Sequence, residues 1–163
     1  MIVVSDTTPL ISLMKVSLLN ILYDLFGEIR IPAAVYKELT SNENFSFEAA
    51  EIQSSAFIKV VTIEDQKIVE VLQKASGLDL GESEAIAYAD IVKADFLLMD
   101  EVRGRRVARS MGLQIMGTVG VMLAAFNDGI LSKKEVENAL DGLKKANRRI
   151  GDDVIEAAKR RLE

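Results

Sequence analysis

The 163-residue chain contains neither cysteine nor histidine. The first absence removes disulfides, thiol nucleophiles and thiolate zinc sites; the second removes the commonest transition-metal ligand and general base. A Ser-His-Asp triad and a histidine-based ribonuclease are excluded, so any catalysis has to run on carboxylates, hydroxyls, lysine or arginine. Any metal site is pushed toward hard, oxygen-bound ions such as Mg²⁺ or Mn²⁺. No apolar run approaches the roughly 20 residues that a membrane span needs, and no signal-peptide pattern stands out, so a cytoplasmic protein without a membrane partner is expected. Positive charge is in deficit as well. The formal net charge of −5 argues against indiscriminate binding to nucleic acid, although a sum leaves room for local basic stripes. Internal repeats and low-complexity tracts are lacking.

What is present is an ordinary apolar content, 49% of residues, in a length that suits one domain with a sizeable core. The stretch Met1-Ile-Val-Val-Ser-Asp-Thr-Thr-Pro-Leu10 organises the rest. Ile2, Val3 and Val4 form a β-branched run without alternation, the mark of a strand buried on both faces of a parallel sheet. Asp6 follows, and Pro9 suits the first turn of a helix, which places the Asp6 carboxylate at the carboxyl end of a central strand. In open α/β sheets ligands bind at that edge. Helical spacing then runs through Leu10, Leu13, Met14, Leu18, Ile21 and Leu22 until Gly27.

Further strands are expected at 29–31, 57–61, 96–99 and 113–116. Helices are expected from Pro32 onward and over 47–52, 63–75, 82–92, 101–111 and 119–126. Strands alternating with helices build βαβ units, so the expected fold is a three-layer α/β/α domain with a central, mostly parallel sheet and C-terminal helices. Short connections leave no boundary: residues 1–163 form a single domain, its core over about 1–131 and a helical extension over about 132–163. In that extension Ser132-Lys-Lys-Glu135 fits a capping box, and Asp152 can cap the last helix. The narrow apolar stripes of the pair (Val136, Leu140, Leu143; Ile155, Ala158, Leu162) suit a cover on the sheet or a partner surface, and from them a homodimer is expected.

Asp100 repeats the setting of Asp6: apolar strand, acid, helix. Taken singly, each is better explained as a helix N-cap. Within Leu78–Ala89, helical geometry sets Glu82 between Ala85, Ile86 and Ala89 on the inward face and points Glu84 away with Tyr88 and Ile91. A buried acid needs a partner or a metal, whereas an Asp79-x-x-Glu82 capping box would use Glu82 on backbone donors; both readings stay open. Glu38, by itself, requires no explanation. Two other protein classes that gather acids at a sheet edge do not fit. A receiver-type phosphoacceptor needs its Asp after a later central strand, where Thr62 stands. A haloacid-dehalogenase-like phosphatase needs a second Asp at Thr8. Gly117-Thr-Val-Gly120 is in turn too short for a dinucleotide or P-loop fingerprint.

Taken together, Ser5-Asp-Thr-Thr-Pro-Leu10, Pro32-x-x-Val35-x-x-Glu38-Leu39, Gly81-Glu82-x-Glu84-Ala85, Asp100-Glu101-x-Arg103-Gly104-Arg105 and Gly117-Thr118-x-Gly120 resemble the PIN domain family. The resemblance is to its VapC-like toxin ribonucleases in particular, and it runs in order from residue 1 to about residue 131. It implies an endoribonuclease that leaves a 5′-phosphate and a 3′-hydroxyl, the toxin of a toxin–antitoxin pair, with RNA as substrate and an antitoxin protein as partner. It also implies Asp6, Glu38, Glu82 and Asp100 as the catalytic, metal-binding acids for one or two Mg²⁺ or Mn²⁺ ions, with Thr8 and Thr118 as supporting hydroxyls. Many family members carry Asp in place of Glu82, which leaves Asp79 and Glu84 as further candidates for the third acid. Many place Thr or Asn near the fourth, where Met99 stands, and Glu101 could supply that oxygen. The alternative is a PIN fold that binds RNA or protein with little or no cleavage.

Two carboxylates about 5 Å apart repel by roughly 3 kcal/mol at an effective dielectric of about 20, so converging acids burden a metal-free site and a divalent ion reverses the sign. Arg103, Arg105, Arg106 and Arg109 cluster just after Asp100. Arg103 and Arg106 are candidates for phosphate or RNA contact, while Arg105 and Arg109 read as a solvated face pairing with surplus acids. The runs Lys144-Lys145, Arg148-Arg149 and Lys159-Arg160-Arg161 read as solvated helix faces, with an acidic partner as the other option.

Overall fold

The computed structural model describes all residues, 1–163. Five strands, β1 (Val3–Ser5), β2 (Ile29–Pro32), β3 (Ile58–Val61), β4 (Phe96–Leu98) and β5 (Ile115–Met116), form one sheet in the order β3-β2-β1-β4-β5. Every pairing is parallel. Val4 of β1 aligns with Arg30 of β2, and Val3, Val4 and Ser5 align with Phe96, Leu97 and Leu98 of β4. The chain builds outward from β1 through β2 to β3, then returns to the other side of β1 for β4 and β5. The carboxyl ends of β1 and β4 therefore flank the topological switch point, where such sheets leave a crevice.

Ten α-helices surround the sheet: α1 (Thr7–Lys15), α2 (Ile21–Phe26), α3 (Ala33–Ser41), α4 (Ser46–Ser54), α5 (Gln66–Ser76), α6 (Leu80–Ile91), α7 (Val102–Ser110), α8 (Thr118–Asn127), α9 (Lys133–Lys145) and α10 (Asp152–Arg161). The pleat sends alternate strand residues to opposite faces. Val3 and Leu98 join an apolar cluster with residues of α1, α2, α8, α9 and α10, whereas Val4, Leu97 and Met99 pack with Ala85, Ile86 and Ala89 of α6 and Ala108 of α7. This is the expected three-layer arrangement. β1 is buried on both faces because each face carries its own helical layer.

The C-terminal stripes are spent inside the chain. Val136, Leu140, Leu143, Ala158 and Leu162 belong to the same cluster as Val3 and are at most 4% exposed, while Ile155 stays only partly buried. The capping box closes as expected, Ser132 Oγ accepting from the Glu135 N–H (3.2 Å) and Glu135 Oε2 accepting from the Ser132 N–H (2.7 Å). Asp152 does not cap α10; Gly151 is the N-cap and Asp152 the first helical residue, where a negative charge still favours the helix dipole. No helix is long and apolar enough to cross a membrane.

The helical spacing from Leu10 to Leu22 does not become one helix. Ser17 adopts φ +58°, and the Leu18 N–H donates to the Leu13 carbonyl (2.8 Å), which ends α1. Val16 at this turn faces Gly142 of α9, where an added Cβ would lie 3.0 Å from Val16 Cγ1. The break thus accommodates a helix from the far end of the chain, and local periodicity carries no trace of it.

Candidate active site

β1 delivers Asp6 to the switch point. Its N–H donates to the Leu98 carbonyl (3.0 Å), and the residue is 3% exposed. Capping does not account for it: Asp6 occupies the N-cap position of α1, but its carboxylate makes no capping hydrogen bond. Burial pushes its carboxyl from 3.8 up to about 8; the adjacent Thr7 N–H opposes this, and the charges of Glu82, Asp79 and Glu38 add to it. A buried acid surrounded by other acids, with no structural task of its own, is a functional candidate on physical grounds.

Glu38 stands exposed on α3 and accepts a hydrogen bond from Thr7 Oγ1 (2.9 Å). The hydroxyl beside this acid is therefore Thr7. Thr8, expected as a supporting hydroxyl, lines a cleft with Asp100. Successive residues on a helix diverge by about 100°, so the pair Thr7-Thr8 reaches two different parts of the site and the sequence does not say which goes where. Gly81 lets α6 approach: a Cβ there would lie 3.2 Å from Glu38 Oε2 and 3.6 Å from Asp79 Oδ1.

For Glu82 the capping-box reading is the one the structure forms. Asp79 Oδ1 accepts from the Glu82 N–H (2.8 Å) and Glu82 Oε2 from the Asp79 N–H (3.0 Å), which closes a capping box. The side chain is nonetheless half-buried; burial raises its pKa foremost, the Asp79 N–H opposes, and the charges of Asp79, Glu101 and Glu38 add to the rise. Glu84 departs from expectation. It is 8% exposed, and its Oε2 accepts from the Ala34 N–H (3.0 Å), closing the open N-terminus of α3. α6 is wedged among β1, β2, α3 and α5, so its supposed outer face is also an inner one. Glu84→Ala is expected to cost about 1–2 kcal/mol, seen as a lower urea midpoint, and Glu84→Gln less, because an acceptor remains.

Asp100 does not cap α7. Glu101 does, accepting from the Arg103 N–H (3.1 Å), and this local task accounts for the exposed residue expected to supply a site oxygen. Asp100 instead reaches the start of α8, where Oδ1 accepts from the Thr118 N–H (2.7 Å) and Oδ2 from Thr118 Oγ1 (2.5 Å). Thr118, expected as a supporting hydroxyl, thus lies beside Asp100. Arg103 Nη1 lies against Gly77, in the loop leading to Asp79, and Arg106 is exposed and lines neither cleft beside Asp100.

Arg105 and Arg109 do not pair with surplus acids. The protein's ion pairs are Lys15–Glu48, Arg30–Glu28, Lys93–Asp90 and Lys144–Asp152, and Arg105 Nη1 donates to the Met99 carbonyl (3.0 Å). Arg148 and Arg149 are not on a helix face; they lie in the loop between α9 and α10, and both line the cleft that contains Thr8 and Asp100. Their position was not legible in the sequence, because it depends on how α9 docks against α1 and α8.

The four expected acids gather only in part. Asp6, Glu38 and Glu82 lie close enough to repel one another, while Asp100 ends the adjoining strand and is turned toward Thr118. No three acidic side chains form a ready-made ligand group for a metal ion. The donor set does fit one in chemistry: every side-chain donor is a hard oxygen, and the repulsion acting on Asp6 is of the kind a divalent charge removes. Acids gather at the switch point of an open parallel sheet, in a chain without thiols or imidazoles, and this defines an α/β protein with a carboxylate-lined candidate site. A family model described as a PIN domain matches residues 2–163, and the chain belongs to that family, whose members are generally nucleases. The match extends through the C-terminal helices. No curated protein matches the chain.

Proposed function

We propose that this PIN domain is an endoribonuclease dependent on a divalent metal ion, and, from its resemblance to the VapC-like branch, the toxin of a toxin–antitoxin pair. The observation that carries the reading is Asp6: a carboxyl group buried at the switch point, beset by Glu82, Asp79 and Glu38, and used in no cap. Asp6, Glu38, Glu82 and Asp100 would hold one or two Mg²⁺ or Mn²⁺ ions, which supply Lewis acidity for hydrolysis of a phosphodiester. Thr7 steadies the exposed Glu38, the acid best placed to orient a water molecule, and Thr118 fixes the plane of the Asp100 carboxylate. Thr8 faces the cleft beside Asp100, and Arg103, whose Nη1 lies against Gly77 in the loop before Asp79, is the candidate for a phosphate contact on that side.

The deciding experiment is cleavage of single-stranded and structured RNA with Mn²⁺, with EDTA, and with Asp6→Asn in place of the parent. Cleavage by the parent alone, leaving 5′-phosphates, supports the reading; equal activity in parent and variant rejects it. A second reading, a PIN fold that binds without cutting, is favoured by one observation: Glu38, Glu82 and Asp100 are each engaged by an internal donor. RNA retained but uncut under all metal conditions would establish it. Most of the apolar stripe that suggested a homodimer packs inside the chain, and light scattering tests the expectation: a monomer mass would dispose of it.

A further inference from the structure

Two clefts meet at Asp100. One, of about 510 Å³, is lined by Thr8, Ser12, Asp100, Glu101, Arg148 and Arg149 among others; the other, of about 350 Å³, has Arg105, Arg109 and Arg149 about Asp100 and Gly117, with no second carboxylate. Arg149 is common to both, so the loop between α9 and α10 forms the ridge dividing them. That loop is held in place. The Arg148 N–H donates to the Leu143 carbonyl (3.0 Å), Asn147 adopts φ +55°, and Arg148 Nε donates to Ser12 Oγ of α1 (3.0 Å). Arg148 is therefore a positioning residue that anchors its neighbour beside Asp100.

Arg105, Arg109 and Arg149 form no ion pair, although the chain carries 25 acidic residues against 20 basic ones. Scarcity of carboxylates does not explain this. Burial, then the nearby Arg109 charge, lowers the pKa of Arg105, and Asp100 opposes the drop. Three guanidinium groups that line one cleft with Asp100 as its only carboxylate, none of them ion-paired, leave a surplus of positive charge that suits an anion with several negative groups. No aromatic residue lines either cleft, so the site offers guanidinium forks without a stacking platform.

We propose that Arg149, with Arg105 and Arg109 across the smaller cleft, grips the phosphate backbone of single-stranded RNA next to Asp100, making the C-terminal extension part of the substrate groove. The substrate class rests on the nuclease reading; the grip itself is testable without cleavage. Phosphate contacts of this kind carry little sequence information and depend strongly on salt.

The test is fluorescence anisotropy of a labelled RNA of about ten nucleotides in EDTA, at salt concentrations from about 0.05 to 0.2 M. Removing one phosphate contact lowers the log–log salt slope by about 0.7 and weakens binding by about fivefold at about 0.1 M salt. Arg149→Gln and Arg109→Gln are each expected to show both changes with unaltered melting temperatures. Lys59→Gln, on β3 at the opposite edge of the sheet, is expected to show neither. Slopes unchanged in both arginine variants, no RNA binding by the parent, or tighter binding of a polyglutamate peptide than of RNA at this groove would each overturn the proposal. Its failure is separable from that of the nuclease reading. Cleavage that vanishes in Asp6→Asn upholds the enzyme whatever the slopes, and slopes that respond without cleavage uphold the groove alone.

Discussion

Asp6→Asn is expected to lower the proposed RNA hydrolysis about a thousandfold, the equivalent of about 4 kcal/mol of barrier, and to make the metal-free protein more stable at neutral and alkaline pH. The two effects have one origin. In the folded chain the Asp6 carboxyl holds its proton up to about 8, against 3.8 for the free group. Below the lower value it is protonated in both folded and unfolded states and has no effect on stability. Between the two values the unfolded chain ionises while the folded chain retains the proton, so stability falls by about 1.4 kcal/mol per pH unit. Above the higher value the whole penalty, on the order of 5 kcal/mol, is present.

Metal-free protein should therefore melt lower as the pH rises from 5 to 8, by on the order of 10 °C, and Asp6→Asn should remove most of that slope. Glu48 and Glu135, whose pKa values are lowered, act in the opposite direction, but their contribution is complete once the pH passes the ordinary glutamate value. Mn²⁺ should raise the melting temperature of the parent more than that of the variant, because it binds the ionised site. A calorimetric pH series in EDTA, parent against variant, checks the argument. Parallel curves would mean that Asp6 is not the strained group.

Gly117→Ala should reduce cleavage about a hundredfold while leaving the fold intact, since a displacement of about 1 Å at a reacting group is worth that much. The backbone at Gly117 is extended, with φ −87°, so alanine meets no backbone strain. The obstacle is spatial. Its Cβ would lie 2.7 Å from Arg105 Nη1 and 3.0 Å from Asp100 Oδ1. The guanidinium can swing aside only by giving up its bond to the Met99 carbonyl, and Asp100, tied by both oxygens to Thr118, has to shift with the start of α8. Parental activity in Gly117→Ala, measured beside an unchanged thermal unfolding curve, would show that the position of Asp100 does not matter to the chemistry.

Much of this protein could be read locally. The unbroken apolar run before Asp6 and the one before Asp100 sufficed to set two acids at the carboxyl ends of buried strands, because strand burial and strand end are written in adjacent residues. Both capping boxes lie within four consecutive residues, and both formed. The alternation of strand and helix was enough for the layered fold, since a strand buried on two faces demands a helix on each.

Other features belong to contacts between distant segments. The end of α1 at Ser17 accommodates α9; the burial of Glu84 answers the open end of α3; Thr7 rather than Thr8 meets Glu38 because of where α3 lies. Arg148 and Arg149 face Asp100 only because the C-terminal pair folds back onto α1 and α8 and pins its loop to Ser12. Local pattern determines which face a residue turns inward, since that follows from the pitch of its own helix or the pleat of its own strand. Which side chains from remote elements then meet depends on how whole elements dock, and that is decided by packing summed over the molecule.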